Sequence, residues 1–210
     1  MIDAKTHRIQ VEEETFLVHI FYFKKVKFKS DQHESFISYS RECKERLDST
    51  LIFMNLDKMV NEDLLISGIF HSLKDRYKYN VKISKNFAID VLAHVICTDQ
   101  INFIQDHVIP RKLMQSGVEL ENVVLIFITN ENTKISLEKI KIDIDNLLAF
   151  EIIDQQEYFK ANSGKILDFY INNVFKDVKN PGDDFSTLKR IQALLLSRMA
   201  TFSLQLQLKS

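Results

Sequence analysis

Only four glycines and two prolines occur in the 210 residues, and the glycines stand far apart, at positions 68, 117, 164 and 182. Turns that need a positive φ or a fixed kink are therefore scarce, which disfavours a loop-built sandwich, a propeller or a long linker. A glycine-rich phosphate loop is excluded because no two glycines fall within one loop. What remains is a chain of sustained elements. With 45% hydrophobic and 27% charged residues, it can pack a core of ordinary size. The formal net charge of -1 gives no whole-molecule field toward nucleic acid, so any such contact needs a local basic patch. Cys43 and Cys97 are the only cysteines, too few for a disulfide scaffold or a cysteine-only zinc site. The start, Met1-Ile2-Asp3-Ala4-Lys5, lacks the apolar segment of a signal peptide, and the longest apolar runs fall far below a membrane span. A soluble intracellular protein is expected.

Phe16 to Phe23 is aromatic and β-branched and predicts a buried strand, running into Lys24, Lys25, Lys27 and Lys29. A polar helix is expected from about Asp31 to Leu47, and a second strand at Leu51 to Met54. Asn61 is placed as a helix N-cap, with Glu62 and Asp63 at the positive end of the dipole. Leu65, Ile66, Ile69, Phe70, Leu73 and Tyr77 then recur at helical spacing. Phe87 to Cys97 alternates, predicting a strand with Asp90, Leu92 and His94 on one face. Helical pattern returns from Ile101 to Gln115 with Pro110 as an interruption, and Gly117 suits a left-handed cap. Val123 to Ile128 predicts a strand buried on both faces. Leu137 to Leu148 favours a helix, although Ile140, Ile142 and Ile144 also alternate. A helix from about Lys165 to Val178 is expected to end before the turn Asn180-Pro181-Gly182-Asp183. The last helix carries Leu188, Ile191, Leu195 and Met199, and the alternation of Phe202, Leu204, Leu206 and Leu208 predicts a terminal strand.

The six histidines show no pair at metal-binding helical spacing. His94 and Cys97 would point to opposite faces of a strand, so no metal site is expected. Asp90 and His94 on one face could orient a general base, which keeps a small hydrolase or transferase open as one reading. No Gly-x-Ser-x-Gly elbow is present, and neither cysteine has an evident activating partner. The strand-end lysines are most simply a solvated edge. Arg198 is more informative. It borders the apolar stripe of the last helix, so its guanidinium either pairs with an internal carboxylate or is presented to a carboxylate or phosphate ligand.

Several segments, in order, resemble the PRPK-binding protein (TPRKB) family, the small kinase-binding subunit of the KEOPS (EKC) complex. Phe23-Lys24-Lys25-Val26-Lys27 resembles the family's "FKDVKN" strand end. Leu64 to Leu73 is similar to its helix before a basic turn, and Ser84 to Leu92 to its "TRTLSTEII" segment, with Asp90 at the acidic position. Thr98-Asp99-Gln100-Ile101 resembles "TRQI", and Gly117-Val118 resembles the "FGI" before an apolar strand. Leu194 to Leu204 resembles the closing "LVLERVALLDL", with Arg198 on its arginine. The first fifteen residues and the stretch from about Asp154 to Ser163 have no counterpart.

The resemblance implies an α/β (α+β) fold, a single mixed and largely antiparallel sheet of about four to five strands flanked by helices. Residues 1–15 are then an N-terminal extension and 16–210 a single domain. It also implies a non-catalytic, cofactor-free subunit supporting threonylcarbamoyladenosine modification of tRNA in cytoplasm and nucleus. Such a subunit binds the atypical kinase-ATPase subunit and the tRNA 3′ CCA end, with no membrane and no small-molecule substrate. Arg198, Lys82 and Lys85 are the expected tRNA contacts, and Leu195 and Met199 the expected kinase contacts. A protein-binding scaffold without RNA contact is the remaining alternative.

Overall fold

The computed structural model describes residues 2–29, 33–46, 49–110, 118–133, 135–175 and 188–209. They form two compact units, each assembled from two stretches of chain: Met1–Leu56 with Gln105–Asp154, and Asp57–Ile104 with Gln155–Ser210. No single helix among the described residues is long and apolar enough to cross a membrane.

The first unit is built on β2 (Glu14–Phe28), whose aromatic and β-branched run favours an extended backbone. On one edge β2 pairs with β4 (Leu120–Asn130), Ile20 opposite Ile126, and β4 pairs in turn with β3 (Ser49–Asn55), Ile52 opposite Ile126. The other edge of β2 is shared. β1 (Lys5–Val11) pairs with its first half, Ile9 opposite Phe16, and β5 (Leu148–Ile152) with its second half, Phe28 opposite Leu148. The register of the β2–β5 pair shifts between Lys24 and Lys27, where Lys25 takes a positive φ of 53°. All pairings are antiparallel, so the fold is α+β with a single five-stranded antiparallel sheet. The first fifteen residues, read from sequence as an extension, supply the edge strand β1.

Helices α1 (His33–Arg46) and α5 (Leu137–Leu147) belong to this unit. Phe21, Phe23, Phe53, Leu125 and Phe127 from the strands form one core with Ile140, Ile144 and Leu147 of α5. The helix reading of α5 holds: Ser136 caps it by accepting from the Lys139 N–H, and Ile140 and Ile144 face inward. The strand-end lysines are solvent-exposed but do not lie at a sheet edge, because β2 is flanked there by β4 and β5; Lys24 and Lys25 both pair with Glu151, and Lys29 donates to the Asp145 carbonyl.

The second unit is helical. In α2 (Glu62–Tyr77) the expected cap is present, Asn61 Oδ1 accepting from the Leu64 N–H at 2.9 Å. The segment expected as a strand is a helix, α3 (Phe87–Ile96). Eight of its ten residues are buried, so the helix is apolar nearly all round and its period is hidden. Its ends carry the missing signals: Asn86 caps it through the Ala88 N–H, and Cys97 ends it at φ 58°. A three-residue helix, α4 (Ile101–Phe103), runs into a π turn (Ile104–Val108). The expected cap at Gly117 lies outside the described residues.

Helix α6 (Gln155–Phe169) starts well before the position expected and passes into a π turn (Tyr170–Val174). The turn at Asn180 to Asp183 lies outside the described residues. The expected terminal strand is also helix, because α7 (Leu188–Lys209) continues through it. Phe202 and Ser203 are buried while Leu204 and Leu208 are exposed, a helical distribution that the sequence alternation concealed. Within the unit α2 packs on α3 and α7, and α3 and α6 pack on α7. Gly68 permits the close α2–α3 approach: a Cβ there would lie 2.6 Å from Val95 Cγ2 and 2.9 Å from the Val95 backbone.

Candidate nucleic-acid interface

The stripe Ile191, Leu195, Met199 and Phe202 anchors α7 in the core of the second unit, and Arg198 sits beside it on the exposed side. Leu195 and Met199 are both 0% exposed. They are corrected from kinase-docking residues to core, because the apolar stripe that suggested docking is the stripe that fastens the helix. The Arg198 guanidinium donates from Nη1 to the Val174 carbonyl at 3.0 Å and lies 5.6 Å from the centre of the Phe175 ring. No carboxylate among the described residues pairs with it. That removes the internal ion pair with Asp90, whose partner is Arg76.

Arg198 opens on a cleft of about 290 Å³ that Thr98, Asp99, Gln100, Thr201 and Gln205 also line. The segment from Cys97 onward reaches this cleft because α3 ends in a left-handed residue. The Thr98 N–H closes back on the Ala93 carbonyl at 3.0 Å, turning the following residues out of the helix. The Gln100 N–H then bonds Thr98 Oγ1 at 3.3 Å. Burial pushes the Cys97 thiol up to about 12 against the opposing pull of Arg198, so the thiol at the cleft wall stays protonated.

Lys82 and Lys85 are exposed in the loop before α3. They stand at the opposite end of that helix from Arg198, separated by its ten residues, about 15 Å of helical rise. The structure therefore does not gather the three expected tRNA contacts at one point. Sequence reasoning singled out Thr98 to Gln100 only for the family resemblance and did not place them opposite Arg198, because it read residues 87–97 as a strand where the chain forms a helix.

Asp90 and His94, the alternative catalytic pair, are each 2% exposed. As i and i+4 residues of a helix they lie on one face, and His94 Nδ1 donates to the Asp90 main-chain carbonyl at 2.7 Å. The other ring nitrogen, Nε2, meets Asp75 Oδ2 at 2.9 Å. Asp75 is the hub. It also accepts from Ser203 Oγ at 2.6 and 2.8 Å and from Gln207 Nε2 at 2.9 Å. Burial alone would raise the Asp75 carboxyl, but these hydrogen bonds outweigh it and hold the group below the ordinary carboxylate value. Ser203 donates its proton to a carboxylate that already holds His94, so the three residues lack the nucleophile–base order of a hydrolase.

Asp90 Oδ1 accepts from the Ser84 N–H, and Oδ2 lies 3.2 Å from Arg76 Nη2 without a hydrogen bond of its own. Burial raises its carboxyl above the ordinary value despite the Ser84 bond and the Arg76 charge. Among the described residues no group of three or more His, Cys, Asp or Glu side chains is placed to hold a metal ion.

No protein-family model matches the chain, and no curated protein matches it either.

Proposed function

We propose that the chain is a non-catalytic subunit of tRNA threonylcarbamoylation machinery of the KEOPS type, binding the kinase-ATPase subunit and using the Arg198 cleft for the tRNA 3′ CCA end. The observation that carries this reading is the state of Arg198. Its guanidinium is exposed, oriented by a main-chain carbonyl and an aromatic ring, and without a carboxylate partner among the described residues. A fixed guanidinium with donors to spare is suited to phosphate. Two segments whose residues resemble the family, Thr98 to Ile101 and Leu194 to Leu204, also meet at this cleft although they are distant in sequence. Phe202 and Leu206 add apolar wall against which a base can lie. Lys82 and Lys85, exposed at the other end of α3, serve phosphates farther along the strand. Contacts of α7 with the kinase fall to its exposed leucines Leu194, Leu204 and Leu208.

The test is titration of tRNA with and without its 3′ CCA, against the native chain and Arg198→Ala. Binding is expected to depend on CCA. The variant should weaken it by on the order of 1–3 kcal/mol and lower the salt slope by about one counterion. Thermal stability should barely change, because the one hydrogen bond lost goes to an exposed carbonyl. Binding that survives CCA removal refutes the reading.

A further inference from the structure

Among the described residues, Lys58 has an ammonium group that donates to no carboxylate or carbonyl. Its backbone is held firmly. Met59 and Val60, which follow it, are buried, and the Tyr170 hydroxyl donates to the Lys58 carbonyl at 2.8 Å. From there the partly exposed side chain lays its Nζ 4.2 Å from the centre of the Phe169 ring. The neighbouring carboxylate, Asp57, is already engaged. It accepts from the Tyr158 hydroxyl and from Lys165 Nζ, so of two amines beside one carboxylate it is Lys165 that forms the ion pair.

Lys25 and Lys139 show the opposite arrangement. Both are exposed, but Glu151 and Asp143 hold their ammonium groups at 2.7 Å and keep them above the ordinary lysine value. At Lys58 burial pushes the ammonium down; Asp57 opposes this, and the Lys165 charge adds to it. The Phe169 face favours the charged form, so the amine is held in place until its proton leaves. A lysine that sheds its proton readily at a partly open surface is a nucleophile. The half-exposed Lys165 beside it supplies a positive charge that draws an anionic reagent.

We propose that Lys58 is a site of acyl modification, its ε-amine taking the acyl group of an anionic thioester. The ammonium first gives its proton to water. The neutral nitrogen then attacks the thioester carbonyl, a C–N bond forms, the C–S bond breaks, and the thiolate leaves with the second nitrogen proton. No oxidant or reductant takes part. The amide product is neutral, so the cation–π contact and the repulsion from Lys165 both end. The charge is lost from the face of Phe169, a ring that also stacks on Phe103 at 6.1 Å.

The experiment incubates the full chain with acetyl-coenzyme A near neutral pH and follows the lysine peptides by mass spectrometry. Lys58 is expected to gain the acetyl group roughly threefold or more faster than Lys25 and Lys139, in the order of the amines' readiness to lose a proton. Lys165→Gln removes the competing amine and lets Asp57 take the Lys58 ammonium. The Lys58 rate should then fall to that of Lys25 and Lys139. Lys165 is half-exposed, so this variant keeps the fold. A native Lys58 rate no higher than those of Lys25 and Lys139 overturns the proposal. A fast rate that Lys165→Gln leaves unchanged overturns it too, because exposure alone then accounts for the reaction.

Discussion

Replacing Asp75 by Asn tests whether the buried network of the second unit is structural. Asp75 is 1% exposed and accepts from His94, Ser203 and Gln207, which tie α2 to α3 and to the last turns of α7. The amide keeps the size of the side chain but removes the charge and sets a donor where an acceptor stood. Breaking a buried pair at one partner costs about 3–5 kcal/mol. The lower end applies here, because the Ser203 hydroxyl can turn and accept from the new amide. We therefore expect a loss of about 3 kcal/mol, confined to the second unit.

With two compact units a single melting temperature averages over both, so the suitable assay is native-state hydrogen exchange of the amides in α2, α3 and α7. A loss of 3 kcal/mol should speed their exchange by roughly a hundredfold, given about 1.4 kcal/mol per tenfold. The sign with pH is fixed by the depressed carboxyl. Its stabilisation is complete above the unfolded value near pH 4 and disappears as pH falls through the lower folded value. The gap between native and variant should close over that acidic range. Exchange of these amides within about fivefold of native at pH 7, roughly 1 kcal/mol, would refute the hub as described.

Three further outcomes follow from burial and contact. Gly68→Ala should destabilise the second unit by about 1–3 kcal/mol, since the new methyl meets the Val95 backbone, and exchange in α3 would report it; an unchanged rate would mean the helices separate freely. Leu195→Ala and Met199→Ala should each cost about 2–5 kcal/mol in denaturant titration, whereas a docking role would leave stability intact and reduce only partner binding. Neither thiol should react with iodoacetamide in the native protein at pH 8, because burial pushes Cys43 up to about 11 and Cys97 up to about 12; rapid labelling of either would contradict that environment.

The sheet was readable because β2 and β4 advertise themselves as dense runs of β-branched and aromatic residues, and Asn61 was readable as a cap because its mechanism is local. β1 escaped because only Ile9 and Val11 of its seven residues are buried, as suits an edge strand. β5 follows α5 with no intervening turn residue to mark it. In α3 and at the end of α7, alternation mimicked a strand where helical burial was the cause. Arg198 was legible as an arginine bordering an apolar stripe. The Asp75 hub was not, because its partners lie 19, 128 and 132 residues away and nothing local distinguishes that aspartate from a solvated one.

The division of each unit between two stretches bears on how the protein is made. The chain passes between its units three times, at 56/57, 104/105 and 154/155. β2 and β3 emerge early from the ribosome, yet β4, which hydrogen-bonds to both, begins only at Leu120. Through that interval the nascent chain carries two apolar strands with an open edge between them, a natural substrate for a holding chaperone. The helical unit waits longer still, until α7, which begins at Leu188, supplies Ile191, Leu195 and Met199. Synthesis therefore completes the sheet first and closes the helical unit last, and the arginine that defines the cleft arrives with that final helix.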